Sequence, residues 1–219
     1  MNTFRFRGRN EAGQALARQL SGYAGREDLV VLALPRGGVP VACEIARALH
    51  APLDVFLVRK LGVPGYEELA MGAIASGGTR VLNEGVIEQL RISPAAIELV
   101  AREEQRELER REQVFRNGAP PALMAGRTCI LVDDGLATGS TMRAAVEALK
   151  KRRPERIIVA VPVASPDTCT EFQALADEVV CLYTPDPFVA VGRWYEDFTQ
   201  LTDDEVRDYL DRAAHEMAH

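Results

Sequence analysis

The feature that most constrains the fold is a strand-like apolar run that ends in two adjacent carboxylates and continues as a glycine-containing loop. Residues 129–132 are apolar and are followed by Asp133 and Asp134. The range 135–141 holds two glycines and three hydroxyl side chains, and a helical pattern begins at Met142. A short apolar run of this kind indicates a buried strand. The acids therefore stand at the carboxyl end of a strand, where open α/β sheets bind ligands.

The loop after the acids has the chemistry of an anion site. At a helix N-terminus, backbone N–H groups and the helix dipole attract negative charge. We expect a phosphate group to bind Leu136, Ala137, Thr138, Gly139, Ser140 and Thr141. Asp133 and Asp134 would repel that phosphate, and they suit sugar hydroxyls or a magnesium ion with its waters. A phosphate beside a diol indicates a ribose 5-phosphate ligand, and an ordinary capped turn is the alternative.

A second glycine turn follows another apolar run. Residues 29–34 are typical of a strand covered on both faces, and the next helix is predicted over 41–50. Between them, Gly37 and Gly38 permit close approach to a ligand, and Arg36 supplies a fixed positive charge. This pattern predicts a second anion site, unless the turn only requires glycine and Arg36 is solvated.

These two segments resemble motifs of the type I phosphoribosyltransferases, which bind 5-phosphoribosyl-1-pyrophosphate (PRPP). The run ILVDDGLATGST, residues 130–141, resembles their ribose-phosphate loop. The Gly37-Gly38 turn is similar to their pyrophosphate-binding loop, where a non-proline cis peptide is often found. We therefore expect a strained backbone between Pro35 and Gly37, with a cis bond as one form of it.

A basic pair follows the next predicted strand. Residues 53–58 are predicted to form that strand, and Arg59 and Lys60 begin a mobile loop with glycine and proline. We expect the pair to meet a second phosphate group, with a solvated strand end as the alternative for one of them. The run RKLGVPG resembles the corresponding segment of adenine-type members. In the family the following loop closes over the active site, and residues 66–68 would lie in it.

The rest of the pattern predicts an α/β fold with a mostly parallel twisted sheet and helices on both faces. Strand-like runs alternate with helical patterns, and a hairpin is predicted around Gly77 and Gly78. A first helix is predicted over 10–21, with Asn10 as its cap. The resemblance implies a small hood built from the chain termini. The expected parts of this single domain, 1–219, are a core at about 22–184, an insertion at about 66–118 and a hood at 1–21 and 185–219.

A long charged helix leaves two interpretations open. Ser93 and Pro94 begin it, and it can run to about Asn117. Its apolar residues are sparse, which favours a solvated helix that stands off the core. The alternative is a surface for a partner or for a homodimer.

The tail gathers aromatic residues and also leaves two interpretations open. Phe188 lies in a run similar to the purine-contacting hood segment of hypoxanthine-type members. It would stack on a flat base there. Alternatively, it packs with Trp194, Tyr195 and Phe198 in a small satellite core.

Composition excludes several classes of function. The net charge of −6 leaves no basic excess for broad nucleic-acid binding. The four cysteines and three histidines show no zinc framework, and we interpret the cysteines as buried free thiols. Residues 1–10 lack the apolar core of a secretory signal, and no apolar run reaches the length of a membrane span. We expect a cytoplasmic protein without nucleic-acid or membrane partners.

The resemblance implies a pentosyltransferase reaction of nucleotide metabolism, in which the 5-phosphoribosyl group of PRPP passes to a nitrogenous base and pyrophosphate leaves. Asp133 and Asp134 would hold sugar hydroxyls and Mg²⁺. Arg36, Arg59 and Lys60 would neutralise the departing pyrophosphate.

The acceptor stays open at this stage. Ala137 stands where hypoxanthine-type members carry an aspartate, and the other motifs are similar to adenine and orotate types. Two alternatives to a transferase are a PRPP- or nucleotide-binding sensor and a hydrolase that uses water as the acceptor.

Overall fold

Strands and helices alternate along the computed structural model, which describes residues 4–217. The strands are β1 (Leu29–Ala33), β2 (Leu53–Val55), β3 (Val58–Val63), β4 (Tyr66–Ala75), β5 (Thr79–Leu82), β6 (Thr128–Val132), β7 (Arg156–Val163) and β8 (Glu178–Tyr183). The helices are α1 (Arg9–Gln19), α2 (Gly38–Leu49), α3 (Glu84–Leu90), α4 (Pro94–Arg116), α5 (Ser140–Lys150), α6 (Pro166–Gln173) and α7 (Asp203–Met217).

Five of the strands form one parallel sheet in the order β2-β1-β6-β7-β8. Strands β1 and β6 pair from Leu29 opposite Thr128 to Ala33 opposite Val132, so their carboxyl ends are level. Both strands are buried along their whole length, as strands covered on two faces must be. Helices α1, α2 and α7 pack in the cluster on one face, and α5 and α6 in the cluster on the other. The predicted α/β fold is confirmed.

The other three strands form a small antiparallel sheet in the order β3-β4-β5. The predicted hairpin between β4 and β5 is confirmed. The predicted strand over 53–58 was wrong, because β2 ends at Val55 and a new strand begins at Val58. Arg59 and Lys60 lie inside this strand, and residues 66–68 lie in β4. Leu61 and Val63 face the core and are buried, in the alternating pattern of a strand. Sequence reasoning missed this alternation because the basic pair resembles the start of a loop.

The first helix begins at Arg9, and Gly8 occupies its N-cap, so the prediction of Asn10 as the cap was wrong. The Asn10 side chain is engaged elsewhere. Its amide donates to Glu44 Oε1 at 3.1 Å, and its oxygen accepts from the Tyr209 hydroxyl at 3.0 Å. Asn10 thus joins α1 to α2 and α7 instead of capping a helix.

Helix α4 packs against the core, and the interpretation that it stands off was wrong. Ala101, Leu108 and Phe115 are buried at intervals of one heptad and belong to the main hydrophobic cluster. This spacing keeps the three residues on one face of the helix, and Ile97, Val100 and Val114 pack beside them, partly buried. The outer faces carry ion pairs, including the predicted pair of Glu107 and Arg111 at 3.1 Å. Neither α4 nor any other helix within residues 4–217 has the length and apolar character to cross a membrane.

The N-terminal segment pairs with residues 194–196 of the tail, which precede α7. The Phe6 N–H donates to Trp194 O at 2.9 Å, and the Glu196 N–H donates to Phe6 O at 2.8 Å. Phe6 and Tyr195 are buried together in a small hydrophobic cluster. Residues 1–3, 218 and 219 of the predicted hood lie outside the described residues.

The cysteines differ in burial. Cys43 and Cys129 are buried free thiols, as expected. Cys169 on α6 and Cys181 on β8 are only half-buried, and their sulfur atoms lie 2.9 Å apart. Both are free thiols, so the prediction of buried free thiols was wrong for this pair only in their burial.

Candidate active site

The candidate site lies where β1 and β6 end side by side. The Leu34 N–H donates to Val132 O at 2.9 Å, which continues the pairing past the last residue of β1. The chain then turns through a cis peptide bond between Pro35 and Arg36, the form anticipated for this turn. A Cβ atom on Gly37 would lie 1.9 Å from Asp134 Oδ2, and one on Gly38 would lie 2.5 Å from Val132 O. The two loops thus touch at positions where only glycine fits.

The two acids have different partners. Asp133 Oδ1 accepts from the Asp134 N–H at 2.8 Å, which closes a local turn. Asp134 Oδ2 accepts from Arg9 Nε at 2.8 Å, in an ion pair whose side chains are only 14% and 10% exposed. The Tyr195 hydroxyl donates to Asp134 O at 2.6 Å. The first helix and the tail that precedes α7 therefore both contact Asp134.

Burial makes this acid pair difficult to ionise fully. It raises the pKa of Asp133 well above its ordinary value, and the neighbouring charge of Asp134 raises it further. Burial also raises the pKa of Asp134, although the Arg9 guanidinium opposes that effect. Cations and hydroxyl donors would stabilise the charged pair, so the site favours a ligand that supplies them.

The loop after the acids packs against the end of β7 and against α6. Leu136 is buried, and its N–H donates to Val163 O at 2.9 Å. Thr168 Oγ1 donates to Ala137 O at 2.8 Å. Gly139 has φ of +68°, and a Cβ atom there would lie 2.5 Å from the Phe172 ring. The Leu136 carbonyl also accepts from the Ser165 N–H at 3.3 Å, so this residue has no free donor for a ligand and its prediction as a phosphate contact was wrong. Gly139 is required by both conformation and packing.

The hydroxyl groups of the loop face outwards at the start of α5. Thr138 and Thr141 are exposed, and the oxygens of Thr138 and Ser140 lie 3.1 Å apart in an exposed contact. The first N–H groups of a helix have no partner within it, so this turn can receive an anion. A cleft of about 620 Å³ opens beside it, with Ser140, Thr141 and Lys60 in its lining.

Three cations were predicted to contact a leaving group, and each is paired with a different acid. Arg36 Nη1 lies 3.9 Å from Asp203 Oδ1, at the start of α7. Arg59 Nε donates to Glu104 Oε2 on α4 at 2.6 Å. Lys60 Nζ lies 3.4 Å from Glu68 Oε2 on β4. Lys60 also lines the cleft, so it is the one of the three that lies beside the α5 turn in this conformation.

Phe188 is half-buried in the small cluster at the chain ends. The cluster also contains Phe6, Tyr195, Val191, Trp194 and Phe198. This packing agrees with the interpretation of a satellite core.

Sequence reasoning missed Arg9, which lies 125 positions from its partner Asp134. Its guanidinium also stacks on the Phe198 ring, 4.1 Å from the centroid. The aromatic tail was a visible signal, but no local pattern connects a helix-initial arginine with an acid so far along the chain.

The surroundings of Asp133 and Asp134 indicate how this pair would bind magnesium. Among residues 4–217, no three or more His, Cys, Asp or Glu side chains gather to form a metal cage. Mg²⁺ commonly takes one or two carboxylates together with substrate phosphates, and the acid pair fits that mode. Because Arg9 occupies Asp134 Oδ2, Asp133 is the better placed of the two.

Comparison with known protein families decides the family. Residues 8–196 match the model of the phosphoribosyl transferase domain. The chain belongs to this family. The resemblance to type I phosphoribosyltransferases is therefore confirmed, and the domain is of the glycosyltransferase type.

Relatives and solved structures that are similar to this chain agree with the family. A protein named "Putative phosphoribosyl transferase" in two strains of Mycobacterium tuberculosis is 47% identical over 213 residues, which cover 97% of this chain and 48% of the relative. The chain thus spans about half the length of these curated relatives. The crystal structure of TT1426 from Thermus thermophilus is 45% identical with a TM-score of 0.82, covering 94% of this chain and 98% of that one. AQ2163 from Aquifex aeolicus, at 11% identity, a TM-score of 0.50 and coverage of 92% and 84%, shares the fold alone.

Proposed function

We propose that this protein transfers the 5-phosphoribosyl group of PRPP to a nitrogenous base and releases pyrophosphate, with Mg²⁺ as cofactor. The observation that supports this most is the contact between the two glycine loops. Asp134 lies against Gly37, so a sugar held by the acids has the Arg36 turn on one side and the α5 turn on the other. This is the arrangement that a ligand with a phosphate at each end of a ribose requires.

The chain's own residues would bind and orient PRPP. The backbone of residues 137–141 and the hydroxyls of Thr138, Ser140 and Thr141 would hold the 5-phosphate. Asp133 and Asp134 would accept hydrogen bonds from the ribose hydroxyls. Their negative charge would also favour the positive charge that develops on the ring as pyrophosphate departs.

The leaving pyrophosphate would be bound at the other side. The turn of Arg36, Gly37 and Gly38 would approach it closely, and Arg36 would exchange Asp203 for a phosphate oxygen. Lys60 would reach it from the small sheet, and Arg59 would have to leave Glu104 to do so. Bound Mg²⁺ would supply further charge neutralisation for the pyrophosphate, with Asp133 as its protein ligand.

The acceptor would lie under the segment that carries Phe188. This side chain would stack on a flat ring after turning away from the satellite cluster.

We place the protein in the cytoplasm, in nucleotide metabolism. The net charge of −6 argues against a nucleic-acid partner. The charged outer face of α4 is the surface we assign to a homodimer contact.

Pyrophosphate release tests the proposal. The purified chain is incubated with PRPP, Mg²⁺ and a panel of purine and pyrimidine bases, and each base is also tested alone. Release that depends on one base supports the transferase. Release without a base would identify a hydrolase, and PRPP binding without release would identify a sensor. Either of these last two results would contradict the proposed transfer.

A further inference from the structure

Arg9 is the charged residue with the most unusual position near the acid pair. It is the first residue of α1, and its side chain is only 10% exposed. A cation at a helix N-terminus faces the positive end of the helix dipole, which disfavours it. Burial adds a desolvation cost. A buried arginine at this position therefore needs strong compensation.

Three contacts supply that compensation, and two of them come from the tail. Arg9 Nε donates to Asp134 Oδ2 at 2.8 Å, and Nη1 donates to Thr199 O at 3.0 Å. The guanidinium carbon lies 4.1 Å from the centre of the Phe198 ring. The tail thus holds the guanidinium in place, and the guanidinium in turn holds Asp134.

Asp134 is then fixed from three directions. Arg9 donates to its Oδ2 atom, Gly37 packs directly against that oxygen, and the Tyr195 hydroxyl donates to its backbone carbonyl. Because Oδ2 is used by the guanidinium, a ligand hydroxyl would donate to Oδ1. The ion pair also offsets part of the negative charge of the two acids, which reduces repulsion of an anionic ligand at this site.

We propose that Arg9 is a positioning residue of the sugar-phosphate site. It acts through Asp134, by holding Oδ2 so that Oδ1 accepts from a ribose hydroxyl, and it makes the contact between α1 and residues 198–199 part of that site. This inference rests on the proposed function, since it assumes that the acid pair binds a ribose. A simpler role would be to fasten α1 to the sheet without any effect on a ligand.

Binding of two ligands separates these roles. PRPP carries the ribose, whereas inorganic pyrophosphate carries only phosphate groups. We expect Arg9→Met to weaken PRPP binding by about 10- to 100-fold, as misplacement of a binding group commonly does. Pyrophosphate binding should stay within about twofold of wild type, because Arg9 is not proposed to touch a phosphate. Both affinities are measured by titration calorimetry on protein whose folding is checked by circular dichroism.

The matched control is Arg7→Met, two residues earlier. Arg7 is 80% exposed and pairs with Glu11 on the surface, so its removal subtracts the same charge without touching Asp134. It should leave both affinities unchanged. Equal weakening of both ligands by Arg9→Met, or no weakening of either, would overturn the proposal. If wild-type protein itself fails to bind PRPP, the proposed function is what fails.

Discussion

At the scale of single residues, the site depends on backbone positions that exclude a side chain. Gly37 lies against Asp134, and Gly139 lies against Phe172. Both glycines belong to loops whose role was predicted from residue types alone. Their packing partners are distant in sequence, so only the structure reveals why glycine is required at each.

Substitution of Gly139 tests that requirement. In Gly139→Ala, the methyl group would meet the Phe172 ring at 2.5 Å in a backbone with φ of +68°. We expect a loss of unfolding free energy of about 2–4 kcal/mol, from backbone strain and overpacking together. Gly126→Ala is the matched control, since Gly126 has the same φ of +68° and no atom within 4 Å of the added carbon. It should lose only about 1–2 kcal/mol. Equal losses in chemical denaturation would show that the Phe172 contact is unimportant.

The acid at position 134 is predicted to serve turnover more than folding. Asp134→Asn should lower kcat/KM for pyrophosphate release by about 100-fold or more, because a neutral amide cannot stabilise positive charge on the ring. Folding should be weakened but not lost, because the amide oxygen can still accept from Arg9 although the buried guanidinium loses its charge partner. Thermal unfolding measured beside the rate distinguishes the two effects. Normal turnover in a folded variant would refute the assigned role.

Asp133 should make stability depend on pH. Its pKa in the folded protein is raised above the ordinary value of 3.8, so the folded state binds this proton more tightly than the unfolded state. Its contribution is therefore favourable at low pH and is lost as pH rises from about 4 through the folded pKa. Asp133→Asn removes that loss and should raise the melting temperature at pH 7 by about 2–4 °C. The difference from wild type should vanish near pH 4, and a constant difference across this range would contradict the assignment.

At the scale of elements, the sequence predicted the parallel sheet well and the peripheral elements less well. Continuous apolar runs such as residues 29–33 and 129–132 are readily assigned, because a strand buried on both faces needs no polar alternation. Strand β3 was misassigned because Arg59 and Lys60 interrupt its pattern. Helix α4 was misjudged by counting apolar residues, when the spacing of three of them was the informative property.

The packing of α4 can be tested by one substitution on each face. Leu108 is fully buried, so Leu108→Ala should reduce the unfolding free energy by about 2–5 kcal/mol. Leu99 lies on the same helix and is 61% exposed, so Leu99→Ala should change it by less than about 0.5 kcal/mol. Urea denaturation of both variants measures the difference. If both variants lost only a similar small amount of unfolding free energy, the interpretation of α4 as a solvated helix would be correct.

At the scale of the whole molecule, the site joins parts of the chain that no local pattern could connect. The sequence predicted the acids, the loop after them and the glycine turn, because each is a short motif with its own chemistry. It could not predict Arg9 or the Tyr195 hydroxyl, because their contacts with Asp134 exist only when both chain ends fold over the sheet. The same folding brings Phe6 to Trp194 and Glu196.

If Arg9 connects the tail to the site, PRPP binding should reduce amide hydrogen exchange in the loop and in the tail together. PRPP should slow amide hydrogen exchange in residues 135–141, where it would contact the loop, and also in residues 194–199, which hold Arg9. The transmission is physical, since Arg9 joins Asp134 to Thr199 O and Phe198. Residues 86–90 of α3, which are not part of the cleft lining, serve as the internal control and should be unaffected. At saturating PRPP, Arg9→Met should abolish the protection of the tail and leave that of the loop. Protection of the loop without the tail in the wild-type protein would contradict the proposed connection through Arg9.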